Sequence, residues 1–307
     1  MSAAPAGRPR LLVVGGTGGF VGRAVRKEFG PDWTLRSLHR SPDPAEASAG
    51  IEWVAGDASR PTEWGPILSG VDAVLNLAWY RTGGDRRFRP LAEGLETLIR
   101  ACERSGVRRF VQISVPDAPD ALESGLPYLA RKRQVDRTLA SSALDFVILR
   151  PTMLYGPRDK LLTVMLRTID RYGRFPMFGD GAYHVSPLAV EDLARVIRRE
   201  IVRPSRTIVP VGGPERWRYR DLTDLLFSAL GRRPRYVQLT PRGAVRLARL
   251  LETFGSSLLY AYEVEWLLSD RLGLAPYAGL EPPLADVRPF VRSEAARRLG
   301  RSSPSPG

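Results

Sequence analysis

The chain has 307 residues, of which 43% are hydrophobic and 26% are charged, so it is long enough for one large domain or for a large and a small one. The single cysteine, Cys102, excludes an intramolecular disulfide and fits a reducing compartment. The two histidines, His39 and His184, are too few for a convincing metal site, so we expect no bound metal. The net charge of +13 indicates either a solvated basic surface or an anionic partner, whereas dispersed arginines and the lack of a recognisable motif argue against nucleic acid.

The first half of the chain alternates short apolar runs with stretches whose apolar residues recur every three or four positions. The runs predict strands, and the periodic stretches predict helices that pack on a sheet. This alternation predicts a doubly wound α/β fold in residues 8–150, with a parallel sheet covered on both faces. The predicted strands are Leu11–Val14, Thr34–Leu38, Ala73–Leu77, Phe110–Ser114 and Phe146–Leu149, and the predicted helices are Val21–Phe29, Glu93–Ser105 and Tyr128–Ser141.

After Pro151 the pattern changes, and residues 151–300 are predicted to form a smaller α/β lobe that interleaves with the first domain. Its predicted elements are the helices Leu161–Tyr172, Glu191–Glu200 and Tyr219–Leu230 and the strand Thr207–Val211. Residues 301–307 are rich in Ser and Pro, and we expect them to be disordered.

Two amphipathic stretches, Arg242–Phe254 and Ser256–Leu272, lie near the end of the chain. One interpretation is a helical hairpin that packs on the smaller lobe. The other is a basic amphipathic surface that contacts a membrane interface or a partner protein.

A glycine-rich loop follows the first strand and opens the first helix, with Gly16, Gly19 and Gly22 in a GxxGxxG spacing. Glycine permits the tight turn, the close approach of a pyrophosphate and the close packing of helix on strand. The helix N-terminus then presents N–H groups to the phosphates. The loop therefore predicts a dinucleotide site of the Rossmann type that includes Gly16, Thr17, Gly19, Phe20, Val21 and Gly22.

The end of the second strand predicts which dinucleotide is bound. A carboxylate there would hold the adenosine ribose hydroxyls of NAD, but the strand ends in Leu38-His39-Arg40-Ser41. Arg40 can pair with a 2′-phosphate, Ser41 can hydrogen-bond it, and we expect Arg23 to lie close by in the fold. These residues favour NADP(H), with NAD(H) as the alternative if Arg40 is an ordinary surface arginine.

Asp57 follows the third strand in the segment Val54-Ala55-Gly56-Asp57. This position suits a hydrogen bond to the adenine amino group. Asp57 is also a typical turn or helix-capping residue, and the two roles are compatible.

Several segments between about Leu11 and Leu230 resemble, in the right order, the extended and atypical short-chain dehydrogenase/reductases, which include sugar-nucleotide epimerases, dehydratases and reductases. The chain is also similar to the dehydrogenase-like accessory subunit of respiratory complex I. The resemblance implies that Ala58, Leu77, Ala78 and Pro151 also contact the cofactor. The segments are GTGGFVG at 16–22, Gly56-Asp57, Asn76-Leu77-Ala78, YLARK at 128–132, RPTMLYGPRD at 150–159 and SPLAVEDLA at 186–194.

Tyr128 and Lys132 form the YxxxK motif of this family, and a four-residue spacing places both on one helix face. The resemblance implies that Tyr128 is the general acid/base, and that Lys132 lowers the Tyr128 pKa and holds the nicotinamide ribose. It implies that Ser114 hydrogen-bonds the substrate carbonyl. The alternative is an ordinary helix surface, but lysine is rare in this arginine-rich chain and occurs only at Lys27, Lys132 and Lys160.

Three features depart from the family pattern. An alignment can place Val115, which cannot donate, in the slot of Ser114, and the segment from Ser114 to Tyr128 is shorter than in typical epimerases. Leu91 stands where the family has an Asn that supports the proton relay. The family turn at Arg150-Pro151 either passes near the nicotinamide or is purely structural.

Two functions are compatible with these patterns. The first is an NADP(H)-dependent oxidoreductase or epimerase that acts on a carbonyl or secondary alcohol through Tyr128 and Lys132. The second is an accessory or assembly subunit of a larger, membrane-associated respiratory complex, which binds a dinucleotide without turning it over. A redox-sensing regulator is a variant of the second that the sequence does not separate from it.

No apolar run approaches the roughly 20 residues that span a bilayer, and no segment of signal-peptide type precedes Leu11. We therefore expect a cytoplasmic protein, or one that associates peripherally with the inner face of a membrane.

Overall fold

The computed structural model describes residues 7–40, 51–81, 84–159, 161–253 and 260–300. The chain divides into two compact units. The first unit takes in Met1–Val115, Glu123–Arg150 and Leu193–Val209, and the second takes in Pro116–Leu122, Pro151–Asp192 and Pro210–Gly307.

The first unit contains a seven-stranded sheet and the helices that flank it. The strands are β1 (Arg10–Val14), β2 (Thr34–His39), β3 (Ile51–Ala55), β4 (Ala73–Asn76), β5 (Arg109–Ile113), β6 (Asp145–Pro151) and β11 (Arg206–Val211). The helices are α1 (Phe20–Phe29), α2 (Trp64–Leu68), α3 (Asp85–Ser105), α5 (Pro127–Ser141) and most of α7 (Val190–Ile201).

The strand order of this sheet is β3-β2-β1-β4-β5-β6-β11. The neighbours from β3 to β6 pair in parallel, and Val14 of β1 lies opposite Leu38 of β2 and Asn76 of β4. Because the chain runs outward from β1 to β3 and then returns to β4, the strand order reverses between β1 and β4. The carboxyl ends of these two strands are where open α/β sheets bind ligands, and the doubly wound Rossmann fold is confirmed.

Both faces of the sheet are covered, which explains the continuous apolar sequence of β1. Its residues Leu11–Val14 are fully buried. On one face, Leu12 and Val14 share a core cluster with side chains of α2, α3 and α5. Helices α1 and α7 are neighbours, since Arg198 of α7 donates a hydrogen bond of 2.7 Å to the Glu28 carbonyl of α1.

The second unit combines three two-stranded sheets with helices. The strand pairs are β7 (Leu154–Tyr155) with β10 (Leu188–Ala189), β8 (Phe175–Phe178) with β13 (Tyr236–Leu239), and β9 (His184–Val185) with β12 (Trp217–Arg218). The helices are α6 (Leu161–Tyr172), α8 (Tyr219–Ala229), α9 (Pro241–Thr253), α10 (Ala261–Leu268) and α11 (Val287–Arg298), and the short α4 (Asp120–Gly125) begins in this unit.

Helices α9 and α10 lie within the two amphipathic stretches, and they pack on each other. Ala244 and Ala248 of α9 share a small core with Ala261 and Val264 of α10 and with Phe178. The outer side of α9 exposes Leu247 and Leu250 together with its three arginines. The hairpin interpretation is therefore supported. The exposed face is also compatible with a basic amphipathic surface that contacts a membrane interface or a partner protein.

Two boundaries differ from the sequence predictions, and a third prediction is not tested by the structure. Residues 193–209 of the predicted smaller lobe belong to the first unit, because β11 pairs with β6 and extends the main sheet. Helix α3 begins at Asp85 rather than at Glu93. Its additional N-terminal residues include Pro90, which helix interiors disfavour, and the buried Phe88, whose packing stabilises this part of the helix. The predicted disorder of 301–307 lies outside the described residues.

Within the described ranges, no helix has the length and apolar composition that crossing a bilayer requires. Among the same residues, no group of three or more His, Cys, Asp or Glu side chains is arranged to hold a metal ion.

Candidate functional site

The glycine loop between β1 and α1 is packed so closely that side chains are excluded on its inner side. Gly15 and Gly16 have φ angles of +100° and +80°, a region that glycine adopts without strain. A Cβ atom on Gly15 would lie 2.6 Å from the backbone N of Ala78, and one on Gly22 would lie 2.3 Å from the Gly16 carbonyl oxygen. A Cβ on Gly19 would meet no atom within 4 Å. The loop is therefore open to a ligand at Gly19.

The N-terminus of α1 is prepared for an anion. Its N-cap residue is Gly19, no side chain caps it, and its first turn has no acidic residue. The first-turn N–H groups of a helix lack intrahelical partners and lie at the positive end of its dipole. The predicted residues Phe20, Val21 and Gly22 supply these groups, which suits a phosphate. The Nε of Arg23 donates to the Gly18 carbonyl at 2.6 Å, so this arginine closes the loop on its outer side.

A polar network beneath the loop was not predicted from the sequence. The backbone N–H of Thr17 donates to the Ser37 Oγ at 3.1 Å, and the two hydroxyl oxygens lie 3.2 Å apart. The Ser37 Oγ also lies 2.6 Å from the His39 Nε2. The His39 ring packs against Trp53, with centroids 4.2 Å apart, and lies where a Cβ on Gly16 would be. The second strand thus supports the glycine loop directly.

A cleft of about 310 Å³ opens at the carboxyl ends of β1 to β4, next to the loop. It brings together five of the predicted cofactor-binding residues, namely Arg40, Asp57, Ala58, Leu77 and Ala78. It is also lined by Gly15, His39, Trp79, Tyr80 and Leu91, among others. Ser41 lies outside the described residues. Pro151 is the last residue of β6 and falls in the second unit, so its role stays a prediction.

Asp57 is held in a tight local turn at the edge of this cleft. Its Oδ1 accepts hydrogen bonds from the Ser59 backbone N–H at 2.9 Å and from the Ser59 hydroxyl at 2.7 Å. Burial opposes ionisation, but these hydrogen bonds and the charges of Arg40 and Arg60 outweigh it and keep the pKa of Asp57 below its ordinary value. Asp57 is therefore an ionised acceptor as well as a turn residue.

Lys132 of α5 is buried, with 4% of its surface exposed. Its Nζ donates to the Ile113 carbonyl at 3.1 Å and lies 4.8 Å from the ring centroid of Trp79. Burial lowers the pKa of Lys132 to about 8, against the attraction of Asp136, and the positive charge of Arg133 lowers it further. A buried lysine with a lowered pKa is a feature of functional sites.

Tyr128, one turn before Lys132, is half-buried among aromatic rings. Its ring meets Trp79 edge-on at 6.1 Å between centroids and Phe88 edge-on at 5.6 Å. Trp79 and Phe88 are themselves stacked at 6.2 Å. Sequence reasoning did not include Trp79 or Phe88 in the site. The signal was an aromatic residue directly after the family-like segment Asn76-Leu77-Ala78.

The hydroxyl of Ser114 is engaged within the protein. Ser114 is buried, and its hydroxyl donates to the Asp136 Oδ2 at 2.7 Å. Arg133 donates to the same oxygen at 3.0 Å and Arg150 at 3.4 Å, and Arg133 also donates to the Val115 carbonyl at 3.1 Å. The predicted role of Ser114 as the carbonyl donor is therefore not supported by its geometry, because an internal carboxylate holds its proton.

The residues present fit a dinucleotide. The cradle at Gly15, Gly16 and Gly22 admits no side chain, the uncapped helix faces the phosphate position, and the adjoining cleft is lined by Arg40 and by the ionised Asp57. A family model described as NAD(P)H-binding matches residues 15–173, more than half of the chain.

The chain belongs to the NAD(P)H-binding family. A 2-alkyl-3-oxoalkanoate reductase from Stenotrophomonas maltophilia is 26% identical over 330 aligned residues, which cover 96% of this chain and 99% of the relative. Subunit 9 of the mitochondrial NADH dehydrogenase [ubiquinone] 1 alpha subcomplex from Arabidopsis thaliana is 25% identical over 152 residues, covering 48% of this chain and 37% of the relative.

This chain of the NAD(P)H-binding family shares its fold with a solved dehydratase. The dTDP-glucose 4,6-dehydratase DesIV from Streptomyces venezuelae, solved with NAD bound, superposes with a TM-score of 0.63 at 24% identity and covers 94% of this chain and 97% of its own. The resemblance to extended short-chain dehydrogenase/reductases and to the complex I subunit is thus confirmed.

Proposed function

We propose that this chain is an NADP(H)-dependent oxidoreductase or epimerase that acts on a carbonyl or secondary alcohol through Tyr128 and Lys132. The observation that carries the proposal is the buried Lys132, one helical turn from Tyr128 and in contact with the same Trp79 ring. A lysine that served only as a solvated surface charge would not be 4% exposed in a chain that otherwise uses arginine.

The preference for NADP(H) rests on the residues that line the cleft at the end of β2. His39 and Arg40 line it there, and the nearby carboxylate of Asp57 is already engaged by Ser59. An exposed arginine in this position can form a bidentate pair with a 2′-phosphate. Neither His39 nor Arg40 has the carboxylate that would hold the ribose hydroxyls of NAD(H).

In the reducing direction, Tyr128 donates its hydroxyl proton to the carbonyl oxygen while the carbonyl carbon is reduced. When bound, NADPH supplies the hydride. The positive charge of Lys132 stabilises the phenolate that Tyr128 becomes, and solvent then returns the proton. The aromatic rings of Trp79 and Phe88 keep water from one side of Tyr128.

The test is NADPH oxidation with a panel of carbonyl substrates. A 3-oxoalkanoate is the first class to include, because the Stenotrophomonas relative is named for it. We expect Tyr128→Phe to lose turnover at least 100-fold while it binds NADP⁺ as the wild type does, since general acid catalysis contributes about 10²–10⁴-fold. Unchanged turnover in this variant would contradict the mechanism.

One observation favours the second candidate, a dinucleotide-binding accessory or assembly subunit. The hydroxyl of Ser114, which the reaction would use to polarise the carbonyl, is held by Asp136. This candidate also fits the similarity to an NADH dehydrogenase subunit and the basic, partly apolar outer face of α9, which would contact a partner protein or an anionic membrane surface. It predicts tight NADP⁺ binding without turnover on any carbonyl, and recovery of the chain from cell extract in a larger complex or with membranes.

A further inference from the structure

Trp79 occupies the position between the cleft and the Tyr128–Lys132 pair. Its ring covers the Lys132 ammonium at 4.8 Å, meets Tyr128 edge-on and also lines the cleft next to Ala78. Its own Nε1 is buried and has no hydrogen-bond partner among the described atoms. One side chain thus touches both members of the proposed catalytic pair.

The backbone that presents Trp79 is fixed by the end of β4. The Asn76 Oδ1 accepts from the backbone N–H of Ala78 at 3.0 Å, and the Asn76 Nδ2 donates to the Gln112 Oε1 of β5 at 2.9 Å. Phe88 of α3 stacks on the indole, with 11° between the ring planes. The Trp79 ring is therefore held in place from its backbone and from one face.

A tryptophan face acts on an ammonium in two opposite ways. Its π electrons attract the charge, and this favours the protonated form. Its bulk also keeps water away, which disfavours the charged form. The Lys132 ammonium has the Ile113 carbonyl as a neutral acceptor, and the charged side chains around it are those of Arg133 and Asp136, with Arg150 bonded to Asp136.

We propose that Trp79 is a positioning residue for Lys132. The indole face of Trp79 holds the Lys132 ammonium against the Ile113 carbonyl and shields it from water. The consequence for turnover rests on the proposed function. The ionisation of Lys132 does not depend on the proposed function, because it can be measured without a substrate. The lowered pKa of Lys132, about 8, agrees with a shielded ammonium.

The chain allows a direct measurement because it has only three lysines, Lys27, Lys132 and Lys160. Lysine labelled with ¹³C at Cε gives three NMR signals, and the signal that disappears in Lys132→Arg is that of Lys132. The pH titration of this signal is recorded for the wild type, Trp79→Leu and Trp79→Ala. Trp33→Phe is the matched control, since Trp33 packs on Phe29 at 5.8 Å in another part of the unit.

The two variants separate the effects of the ring. Leucine keeps an apolar cover but has no π face, so we expect the Lys132 midpoint to fall by about one pH unit below that of the wild type. Alanine admits water, so we expect the midpoint to rise by at least about one unit towards 10.5. The Trp33→Phe control should leave the midpoint unchanged.

The proposal is overturned if Lys132 titrates at the same pH in the wild type, Trp79→Leu and Trp79→Ala, or if the wild type already titrates near 10.5. Should Trp79→Ala fail to fold, Trp79→Leu decides alone, because only loss of the π face lowers the midpoint. A second readout is the alkaline limit of NADP⁺ affinity, which should move with the Lys132 midpoint. A wild type that never turns over but shows these shifts contradicts the proposed function and leaves the role of Trp79 intact.

Discussion

The hydroxyl of Ser114 donates a 2.7 Å hydrogen bond to the Oδ2 of Asp136, and both side chains are buried. Arg133 and Arg150 converge on the same oxygen, so one carboxylate balances two buried guanidinium groups. Asp136 is therefore the centre of a charge cluster that ties α5 to β6 and to the residue after β5.

Asp136→Asn should destabilise the fold strongly, because it removes the negative charge on which two buried guanidinium groups converge. We expect the free energy of unfolding in urea to fall by about 3–5 kcal/mol. Ser114→Ala removes only one donor and should cost about 1–2 kcal/mol. The control is Glu93→Gln, which breaks the exposed pair with Arg89 and should cost less than about 0.5 kcal/mol. Equal losses in all three variants would mean that the cluster is not the source of the effect.

Gly19→Ala should separate dinucleotide binding from folding. The added Cβ meets no protein atom within 4 Å, so the melting temperature should change by no more than a few degrees. We expect the methyl group to enter the space that the pyrophosphate would occupy, so NADP⁺ affinity in calorimetry should fall at least tenfold, or about 1.4 kcal/mol. Gly22→Ala should instead lose both stability and binding, since its Cβ would lie 2.3 Å from the Gly16 carbonyl. Full NADP⁺ affinity in Gly19→Ala would place the phosphates elsewhere.

Arg40→Ala should lower the affinity for NADP⁺ and leave that for NAD⁺ unchanged, because only NADP⁺ carries the 2′-phosphate. A charge-assisted hydrogen bond contributes about 1.5–3 kcal/mol, so we expect a loss of roughly 10- to 150-fold in calorimetry. Arg60→Ala is the matched control: Arg60 lies near Asp57 but is 80% exposed and does not line the cleft. A parallel loss for both dinucleotides would show that Arg40 does not recognise the 2′-phosphate.

Lys132→Met should change how stability depends on pH. The folded pKa of Lys132, about 8, lies below its ordinary 10.5, so between these values the unfolded chain binds more protons and this group adds stability as pH rises. The wild type should therefore gain about 1.5 kcal/mol relative to Lys132→Met between pH 8 and 9.5, measured by urea unfolding. Taking the difference cancels the contributions of other groups, including Cys102, whose pKa burial raises to about 12. A difference that does not vary with pH would contradict the lowered pKa.

Local signals in the sequence were sufficient for six of the seven strands of the main sheet, for most helices and for the glycine loop. The periodic burial of α1 and the glycine spacing depend on residues close together in the chain, and Asp57 follows its strand directly. The place of β11 could not be found in this way, since strand order depends on pairing between distant residues. The same limit applies to Ser114: the sequence left its role open between Ser114 and Val115, and its bond to Asp136 depends on how α5 packs against β5. Trp79 was overlooked because an aromatic residue after a strand is more often part of a core.

The Ser37 hydroxyl hydrogen-bonds both the backbone N–H of Thr17 and the His39 ring, so the glycine loop and the end of β2 are structurally coupled. Cofactor preference is usually engineered by exchanging the residues at the end of this strand. Here, an exchange of Ser37 or His39 would also remove the support under the glycine loop, which we expect to receive the pyrophosphate. A change of cofactor preference should therefore keep Ser37 and His39 and be confined to Arg40 and the residues that follow it.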